Sequence, residues 1–401
     1  MSSRLLIRVV AAALAAAALA TSCSRPTEPL VVWSNVPEVS FVVERYNFLH
    51  DTDARFRFVE NLTQALTQER PEADLVIGRW VNTPPVNALM EDRESYAASL
   101  DLPSEIDGGP SEALLNSGPQ WVPLSFSLPT LVMRPGTDVS DSAVSATLAD
   151  LGALYRADTP PVHFAPLSNP ETMYALHRSL GFVPSVASDG SPAWDSARLG
   201  AAMDAVRSWQ EEFNGGNAAE SVYVERYLYE DRFRQLDKNR VSVVYMPSNE
   251  LFTWRFFDER RYDFRWLSGT DGTITANEDV VYGGVPDSST RRAAAVRMLS
   301  WLTTTQAQVD FMRAKIEARV DSFGFLDGFS TLTATNRAME RELYPELAGR
   351  IPGTAALQFS GALPRYWDEA RRDVVEPYLR NNTEPERLTD ALELWYRQRG
   401  D

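Results

Sequence analysis

Residues 120–136 constrain the fold of this chain most, because proline interrupts two short strand-like runs there. The runs cover residues 121–126 and 130–133, and the prolines are Pro123 and Pro129. Proline donates no backbone hydrogen bond and is disfavoured in the middle of a sheet. The segment is therefore typical of a chain that leaves one sheet and enters another, although an irregular edge strand within a single domain has the same pattern.

Strands and helices alternate before this segment. Strand-like runs at residues 30–33, 55–59 and 74–78 are separated by stretches in which apolar side chains recur at helical spacing. After Asp74 the third run carries no charge, as expected for a parallel strand that is covered on both faces. This β-α-β-α-β order predicts an open α/β sheet, in which ligands lie beyond the carboxyl ends of the strands.

The same alternation begins again after residue 136. We predict strands at residues 162–165 and 241–246, with helices at 171–180 and 197–213 between them. A chain of 401 residues is long for one core. We therefore interpret residues 120–136 as a first crossing between two lobes and the turn-rich residues 268–284 as the return crossing. The first lobe comprises residues 29–123 and 280–320, and the second comprises residues 128–267 and 325–401.

The first 22 residues are predicted to be a secretory signal. Arg4 and Arg8 precede a short apolar run, small residues follow, and then comes Cys23, the only cysteine. The apolar run is short for a membrane-spanning helix. Residues 19–23 resemble the lipobox of bacterial lipoproteins, although leucine stands four residues before the cysteine instead of three. The resemblance implies lipid attachment at Cys23 and a tether at residues 23–28; an ordinary cleaved signal with a chance cysteine is the alternative.

Composition and motifs argue against several functions. The net charge of −16 opposes binding to nucleic acid or to anionic lipid, since both are polyanions. The three histidines lack metal-ligand spacing, and G-x-S-x-G, S-x-x-K and C-x-x-C motifs are absent. Carboxylate pairs at residues 91–92 and 278–279 lie in polar sequence and are predicted to be solvated. We expect no enzyme activity, metal or cofactor, but a glycosidase with two carboxylates in a cleft stays open, because sequence does not give their separation.

The order of these features resembles the extracellular solute-binding proteins of ABC importers, in the branch that includes sugar binders. The resemblance covers nearly the whole chain after the signal and rests on order and spacing. Its elements are the lipobox, W-S-N at residues 33–35, D-L-V-I-G-R-W at 74–80, the crossing at 121–134, V-S-V-V-Y-M-P-S-N at 241–249, V-Y-G-G-V-P at 281–286 and R-Y-W-D-E-A-R at 365–371. It implies a two-lobed α/β fold, each lobe a mixed or parallel sheet flanked by helices, joined by crossing strands that form a hinge.

The resemblance also implies where a solute would be contacted. Sugars present apolar ring faces and a rim of hydroxyls, which suit aromatic, amide and charged side chains. The candidates are Trp33, Ser34, Asn35, Arg79, Trp80, Ser125, Phe126, Asn169, Glu171, Tyr245, Ser248, Asn249, Tyr282, Gly283 and Trp367. If the hinge interpretation holds, Ser125 and Phe126 lie on the floor of the cleft. Each candidate has a structural alternative: the tryptophans and Tyr245 suit a core, Arg79 suits a surface ion pair, and Gly283 suits a turn.

The implied function is that of an extracytoplasmic receptor, anchored to a bacterial membrane only through lipidated Cys23. It would act as a monomer, capture a small polar solute, expected to be a carbohydrate, and deliver it to the permease subunits of an ABC importer. The alternatives are a secreted carbohydrate-active enzyme and a lipoprotein that keeps the fold for structural or sensory work.

Overall fold

A computed structural model describes residues 28–68, 72–97, 110–115, 118–137, 139, 144–156, 162–253, 261–381, 384 and 386–399. Its strands are β1 Leu30–Ser34, β2 Ala54–Phe58, β3 Leu75–Gly78, β4 Val122–Phe126, β5 Pro129–Met133, β6 Ser145–Ala146, β7 Ser185–Val186, β8 Pro192–Ala193, β9 Val243–Pro247, β10 Asp263–Leu267, β11 Ile274–Thr275, β12 Val281–Gly284, β13 Phe329–Ser330 and β14 Leu357–Gln358.

The α-helices are α1 Val39–His50, α2 Leu62–Gln68, α3 Pro84–Asn87, α4 Glu94–Ala97, α5 Pro110–Leu115, α6 Leu148–Ala153, α7 Pro170–Ser179, α8 Ser196–Asn214, α9 Gly216–Tyr227, α10 Arg232–Asp237, α11 Ser248–Thr253, α12 Arg292–Leu302, α13 Thr305–Glu317, α14 Thr333–Glu342, α15 Trp367–Ala370, α16 Glu376–Asn381 and α17 Glu386–Gln398. A π-helical turn, Arg371–Val375, joins α15 to α16. Short 3-10 turns lie at Leu154–Arg156, Pro166–Ser168, Pro345–Leu347 and Thr354–Ala356.

Two sheets of different size organise the described residues. The larger has the strand order β13-β4-β12-β3-β1-β2, and the smaller has the order β6-β10-β5-β9. In the larger sheet β1 pairs in parallel with β2 and β3, while β12 is antiparallel to β3 and β4. In the smaller sheet β5 is antiparallel to both β9 and β10. We call the six-stranded sheet with its helices the first lobe and the four-stranded sheet with its helices the second lobe.

The chain passes from one sheet to the other between β4 and β5, within the segment where the prolines interrupt the strand pattern. It returns between β10 and β12. One expected boundary is wrong, because residues 325–401 were assigned to the second lobe, whereas β13 pairs with β4 in the larger sheet. The short β13 completes the edge of β4, which would otherwise leave unpaired backbone groups.

Local sequence explains the helix that matters most for the cavity described below. Helix α7 begins with Pro170, and the Asn169 side chain caps it by accepting a hydrogen bond of 3.0 Å from the Glu171 amide. A strand was predicted just before it at residues 162–165, and this prediction is wrong. The His163 carbonyl accepts from both Ser242 and Val243, and the chain then turns at Pro166, so no ladder forms.

The cores of the two lobes are not cleanly separated. One contiguous apolar cluster includes Trp33 and Phe329 of the first lobe together with Val132, Met246 and Phe264 of the second. A further cluster fills the interior of the second lobe, and a third joins α7 and α8 to the tail from Leu363 to Leu392. Among the described residues, no helix combines the length and the apolar composition needed to cross a bilayer.

Candidate ligand-binding site

A cavity with about 540 Å³ of empty space, including its opening, lies between the two lobes. Trp80 borders it from the end of β3, and Pro129 and Tyr245 border it from β5 and β9. The remaining lining residues are Glu171, Tyr174, Ala175, Arg178, Pro247, Asn249, Thr275, Asn277, Glu278, Asp279 and Arg371.

The turn after β3 fixes Trp80 at the opening of the cavity. The Asn35 side chain clamps this turn, because it accepts from the Arg79 amide at 2.9 Å and donates to the Arg79 carbonyl at 3.0 Å. Trp80 itself has a φ of +63°, a left-handed conformation that costs a non-glycine residue on the order of 1 kcal/mol. The Thr63 hydroxyl donates to its carbonyl at 3.0 Å, and the Arg371 guanidinium carbon lies 5.3 Å from its ring centre. Contacts with Thr63 and with Arg371 thus hold Trp80 in its strained backbone conformation.

The carboxylate of Glu278 organises one wall of the cavity. It forms an ion pair of 3.2 Å with Arg178, accepts from the Tyr174 hydroxyl at 2.7 Å and accepts from the Trp367 indole nitrogen at 2.9 Å. Burial, followed by the charge of Glu278, raises the pKa of Tyr174 well above its ordinary value. A buried charge with this many partners is stabilised mainly by the geometry of those partners. This wall is therefore preorganised in the absence of a ligand.

Arg371 is the second buried cation at the cavity. Its guanidinium lies 3.3 Å from the Glu376 carboxylate and 3.7 Å from that of Asp368. Burial alone would lower the pKa of Arg371, but the surrounding carboxylates, Glu376 foremost, outweigh burial and raise it. Arg371 therefore stays positively charged, and its ion-pair partners, Glu376 and Asp368, do not line the cavity.

Glu171 faces the cavity from the first turn of α7. Burial raises the pKa of its carboxyl group from 4.5 to about 7, and Arg371 offsets only part of that effect. The hydrogen bonds to described residues involve its backbone amide, and none involves its carboxyl oxygens. The carboxyl group is therefore available to a ligand.

A strained loop links the two lobes beside the cavity. The Asp327 carboxylate accepts from Arg79 of the first lobe at 3.0 Å and from the Asn249 side chain of the second at 3.3 Å. Leu326 and Asp327 are consecutive non-glycine residues with φ of 49° and 58°. Burial would lower the pKa of Arg79, but Asp279 and Asp327 together raise it. We call the contact set of Arg79, Asp327 and Asn249 the interlobe bridge.

Four of the predicted site residues line the cavity: Trp80, Glu171, Tyr245 and Asn249. Their roles in binding stay predictions, but the structure brings them together from distant parts of the chain. Asn35, Arg79 and Ser248 lie beside them as positioning residues, and the Ser248 hydroxyl accepts from the Leu128 amide at 2.9 Å between β4 and β5. Asn169 caps α7 and borders a separate surface hollow on the second lobe. Cys23 lies outside the described residues.

Six predicted site residues lie in the interior of the larger sheet and do not line the cavity, so their contact with a solute stays a prediction. Trp33 is 1% exposed and packs in the core, where Arg57 covers its ring at 4.5 Å. The strands β1, β4 and β12 each have a neighbouring strand on both sides in this sheet. The others are Ser34, Ser125, Phe126, Tyr282 and Gly283.

The cavity floor predicted at Ser125 and Phe126 is formed by other residues of the two crossings. Ser125 donates to the Leu326 carbonyl at 3.2 Å, and Phe126 stacks between Phe329 and Phe359. A Cβ on Gly283 would lie 2.6 Å from a methyl group of Leu299, so this glycine permits close helix packing. Pro129, just past the crossing, and Asn277, just before β12, reach the cavity in their place.

Trp367 is also buried, with 1% of its surface exposed, and it holds Glu278 through its indole nitrogen. Its edge borders a neighbouring groove on the other side of Trp80, which Asn35, Tyr366 and Asp368 also line. Stacking of its ring on a ligand in the cavity is not supported, because the ring is covered by the third apolar cluster.

Several cavity residues were missed by the sequence analysis. Glu278 was predicted to be solvated, and this is wrong, since it is 5% exposed. The i, i+4 spacing of Tyr174 and Arg178 is a sequence signal that places both on one face of α7. Nothing in the local sequence of Arg371 indicates that it reaches the same cavity.

No protein-family profile matches the sequence, and no curated protein sequence matches it. Solved structures do match over nearly the whole chain. The sugar-binding protein MalE from Xanthomonas citri has a TM-score of 0.65 at 14% identity, with 92% of this chain and 98% of that chain covered. The cyclic α-maltosyl-1,6-maltose binding protein from Arthrobacter globiformis has a TM-score of 0.61 at 14% identity, with coverage of 91% and 97%. The GacH receptor of Streptomyces glaucescens GLA.O has a TM-score of 0.59 at 12% identity, with coverage of 92% and 97%.

At this level of identity the likeness is one of fold. It confirms the predicted α/β class with two lobes, each built on its own sheet and connected by crossing strands. The chain thus has the two-lobed fold seen in periplasmic and extracellular solute-binding proteins.

Proposed function

We propose that this protein is an extracytoplasmic receptor that captures a small polar solute, a carbohydrate, in the interlobe cavity and delivers it to an ABC importer. The fold supports the proposal, because its structural neighbours are named as binding proteins for maltosyl sugars or were solved with acarbose. We further propose that Cys23 carries a lipid that anchors the receptor to the membrane and that the receptor acts as a monomer.

The observation that carries the proposal is that both lobes line one cavity. Trp80 contributes an aromatic face from the first lobe, while Tyr245 and Asn249 contribute an aromatic ring and an amide from the second. A solute held between them would contact both lobes at once and stabilise the closed arrangement over the open one. That difference in affinity is the signal a receptor needs to present its loaded form to a permease.

Thermal unfolding in the presence of a solute panel tests the proposal. The panel contains mono- to tetrasaccharides, amino acids and short peptides. A solute at about 100 times its Kd adds about 2.7 kcal/mol to the free energy of unfolding, which raises Tm by several degrees. The Trp80→Ala variant should lose most of this increase, and Trp301→Ala, which changes a partly buried tryptophan of α12, should keep it.

Chromatography of the solute after incubation separates the alternatives. Recovery of unchanged sugar supports a receptor, whereas hydrolysis of the sugar would identify an enzyme. If no sugar, amino acid or peptide raises Tm, transport of such solutes is excluded and a structural or sensory role is favoured.

A further inference from the structure

The ionisable side chains that line the cavity are unequally paired. The two cations, Arg178 and Arg371, are engaged by Glu278 at 3.2 Å and by Glu376 at 3.3 Å. Among the described residues, the other two lining carboxylates, Glu171 and Asp279, have no ion-pair partner within 4.0 Å. Asp279 accepts only a neutral hydrogen bond of 2.8 Å from Ser127. Asp279 interacts electrostatically with Arg79, and Glu171 with Arg371, so their charge is partly compensated. The cavity therefore presents two carboxyl groups that the described residues do not pair directly.

Unpartnered polar atoms at the same place indicate that the cavity is built for a ligand. Tyr245 is 3% exposed, and its hydroxyl borders the cavity without a hydrogen bond to any described residue. The side-chain oxygen of Asn249 is buried and likewise lacks a donor among the described residues. Buried polar groups are nearly always hydrogen-bonded, because an unsatisfied one costs on the order of 1–3 kcal/mol. A ligand that donates hydrogen bonds would satisfy both.

The chemistry of the lining selects among polar ligands. Glu171, Asp279 and the Asn249 oxygen accept hydrogen bonds, and Tyr245 can accept as well as donate. Each arginine already pairs with a carboxylate through its terminal nitrogen, whereas a cationic group finds two carboxylates without an ion pair within 4.0 Å. The Nε atoms of Arg178 and Arg371 have no acceptor among the described residues and can donate to neutral hydroxyls of the same ligand. On the basis of the proposed function, we infer that the ligand is an amine-bearing carbohydrate, whose protonated amine is bound between Glu171 and Asp279 and whose hydroxyls donate to Asn249.

Matched sugars that differ only at one substituent test this inference. The set consists of glucosamine, N-acetylglucosamine and glucose, together with their β-1,4-linked dimers, titrated calorimetrically into the full protein at pH 7.5. Charge-assisted bonds to buried groups are strong enough that we expect the amine forms to bind about tenfold more tightly than the neutral ones.

Single substitutions test whether Glu171 and Asp279 bind the amine. Glu171→Gln and Asp279→Asn should each lower the affinity for the amine forms about fivefold or more, and by a larger factor than the affinity for neutral sugars, so that the preference for the amine is reduced. The exposed Glu212→Gln on α8 is the matched control and should change neither. If a variant does not fold, the comparison of amine and neutral sugars on the unaltered protein still decides.

The outcomes separate this inference from the proposed function. If neutral or acidic sugars bind as tightly as the amine forms, or if only neutral sugars of the wider panel bind, the substrate class is wrong and the receptor function stands. If no sugar binds, both fail. If simple polyamines such as spermidine bind and sugars do not, the site binds a cationic ligand that is not a carbohydrate. That result overturns the inference of an amine-bearing carbohydrate.

Discussion

Glu171 shows how a single position in the cavity combines a cost to stability with availability for binding. Its pKa is raised from 4.5 to about 7, mainly by burial. Because the folded protein binds this proton more tightly than the unfolded chain, the favourable contribution is complete below pH 4.5 and is lost as pH rises to about 7. The charged and titratable groups that act on it are Arg371, Glu376, Glu250, Arg232 and Tyr245.

The Glu171→Gln variant should therefore be more stable than the unaltered protein at pH 8 and about equally stable at pH 5. The amide resembles the protonated carboxyl, so the gain at pH 8 is on the order of 2 kcal/mol after allowance for solvent in the cavity. Urea unfolding at the two pH values measures it, with Glu212→Gln as the control. An equal change at both pH values would show that the carboxyl group is not titrating in this range.

Sequence reasoning reached some cavity residues and not others for a physical reason. Trp80 and Asn249 directly follow the ends of predicted strands, and strand ends mark the ligand-facing edge of an α/β sheet. Glu278 and Arg371 reach the cavity through the return crossing and the tail, and only tertiary packing brings them together. Trp33 fits a similar strand-end pattern, but it lies within β1, where its side chain is buried, whereas Trp80 lies two residues beyond the end of β3.

At the scale of elements, the loop at residues 324–328 is the mechanical link between the lobes. Lys315 of α13 donates to the Gly324 carbonyl at 2.7 Å and pairs with Glu38 at 3.0 Å, although its side chain is only 1% exposed. These contacts hold the left-handed backbone in which Asp327 joins the interlobe bridge. Strain of this kind persists only where surrounding structure over-determines it.

Replacing Asp327 by Asn should weaken the interlobe bridge without disturbing the loop, because Asn tolerates a positive φ. The ionic contact with Arg79 is lost, so the open arrangement gains population in the absence of ligand. We expect a larger radius of gyration by small-angle X-ray scattering and about fivefold weaker binding of whichever solute raises Tm. The exposed Glu317→Gln serves as the control. An unchanged radius and affinity would show that the bridge does not hold the lobes together.

The Lys315→Met variant should lose about 3 kcal/mol of stability, because it leaves the buried Glu38 carboxylate without its cation. Adding Glu38→Gln to this variant should recover part of the loss, since the uncompensated charge is then removed. Guanidinium unfolding of both variants measures the effect. The Glu38→Gln single variant completes the cycle: if the double variant is destabilised by the sum of the two single changes, the pair is not coupled.

At the scale of the whole molecule, the division into two sheets was predictable because its signals are local. Proline at positions 123 and 129 and the repeated alternation of strands and helices mark where one sheet stops and the next begins. The assignment of the tail was not predictable in the same way. Strand β13 has two residues, too few for a periodic pattern, and its place beside β4 depends on a partner far along the chain.

The proposed membrane anchor is tested by Cys23→Ser. We expect the unaltered protein to fractionate with membranes through its lipid. The variant has no lipid, and its apolar signal is removed on processing, so we expect it in the soluble extracytoplasmic fraction. Solute binding by the two forms should be equal, since Cys23 precedes the folded lobes. An unaltered protein that appears in the soluble fraction would contradict lipidation as the anchor.

The position of β12 has a consequence for how the protein is made. In the sheet, this strand lies between β3 and β4. In the sequence, it begins at Val281, after strands β5 to β10, and so comes long after β4 ends at Phe126. Until it has been synthesised, β3 and β4 each expose a bare hydrogen-bonding edge, and the first sheet is not complete. Such distant pairing slows folding. On the proposed extracytoplasmic role, this delay favours export, because a secretion channel threads an unfolded chain, and it leaves two sheet edges for a chaperone to cover.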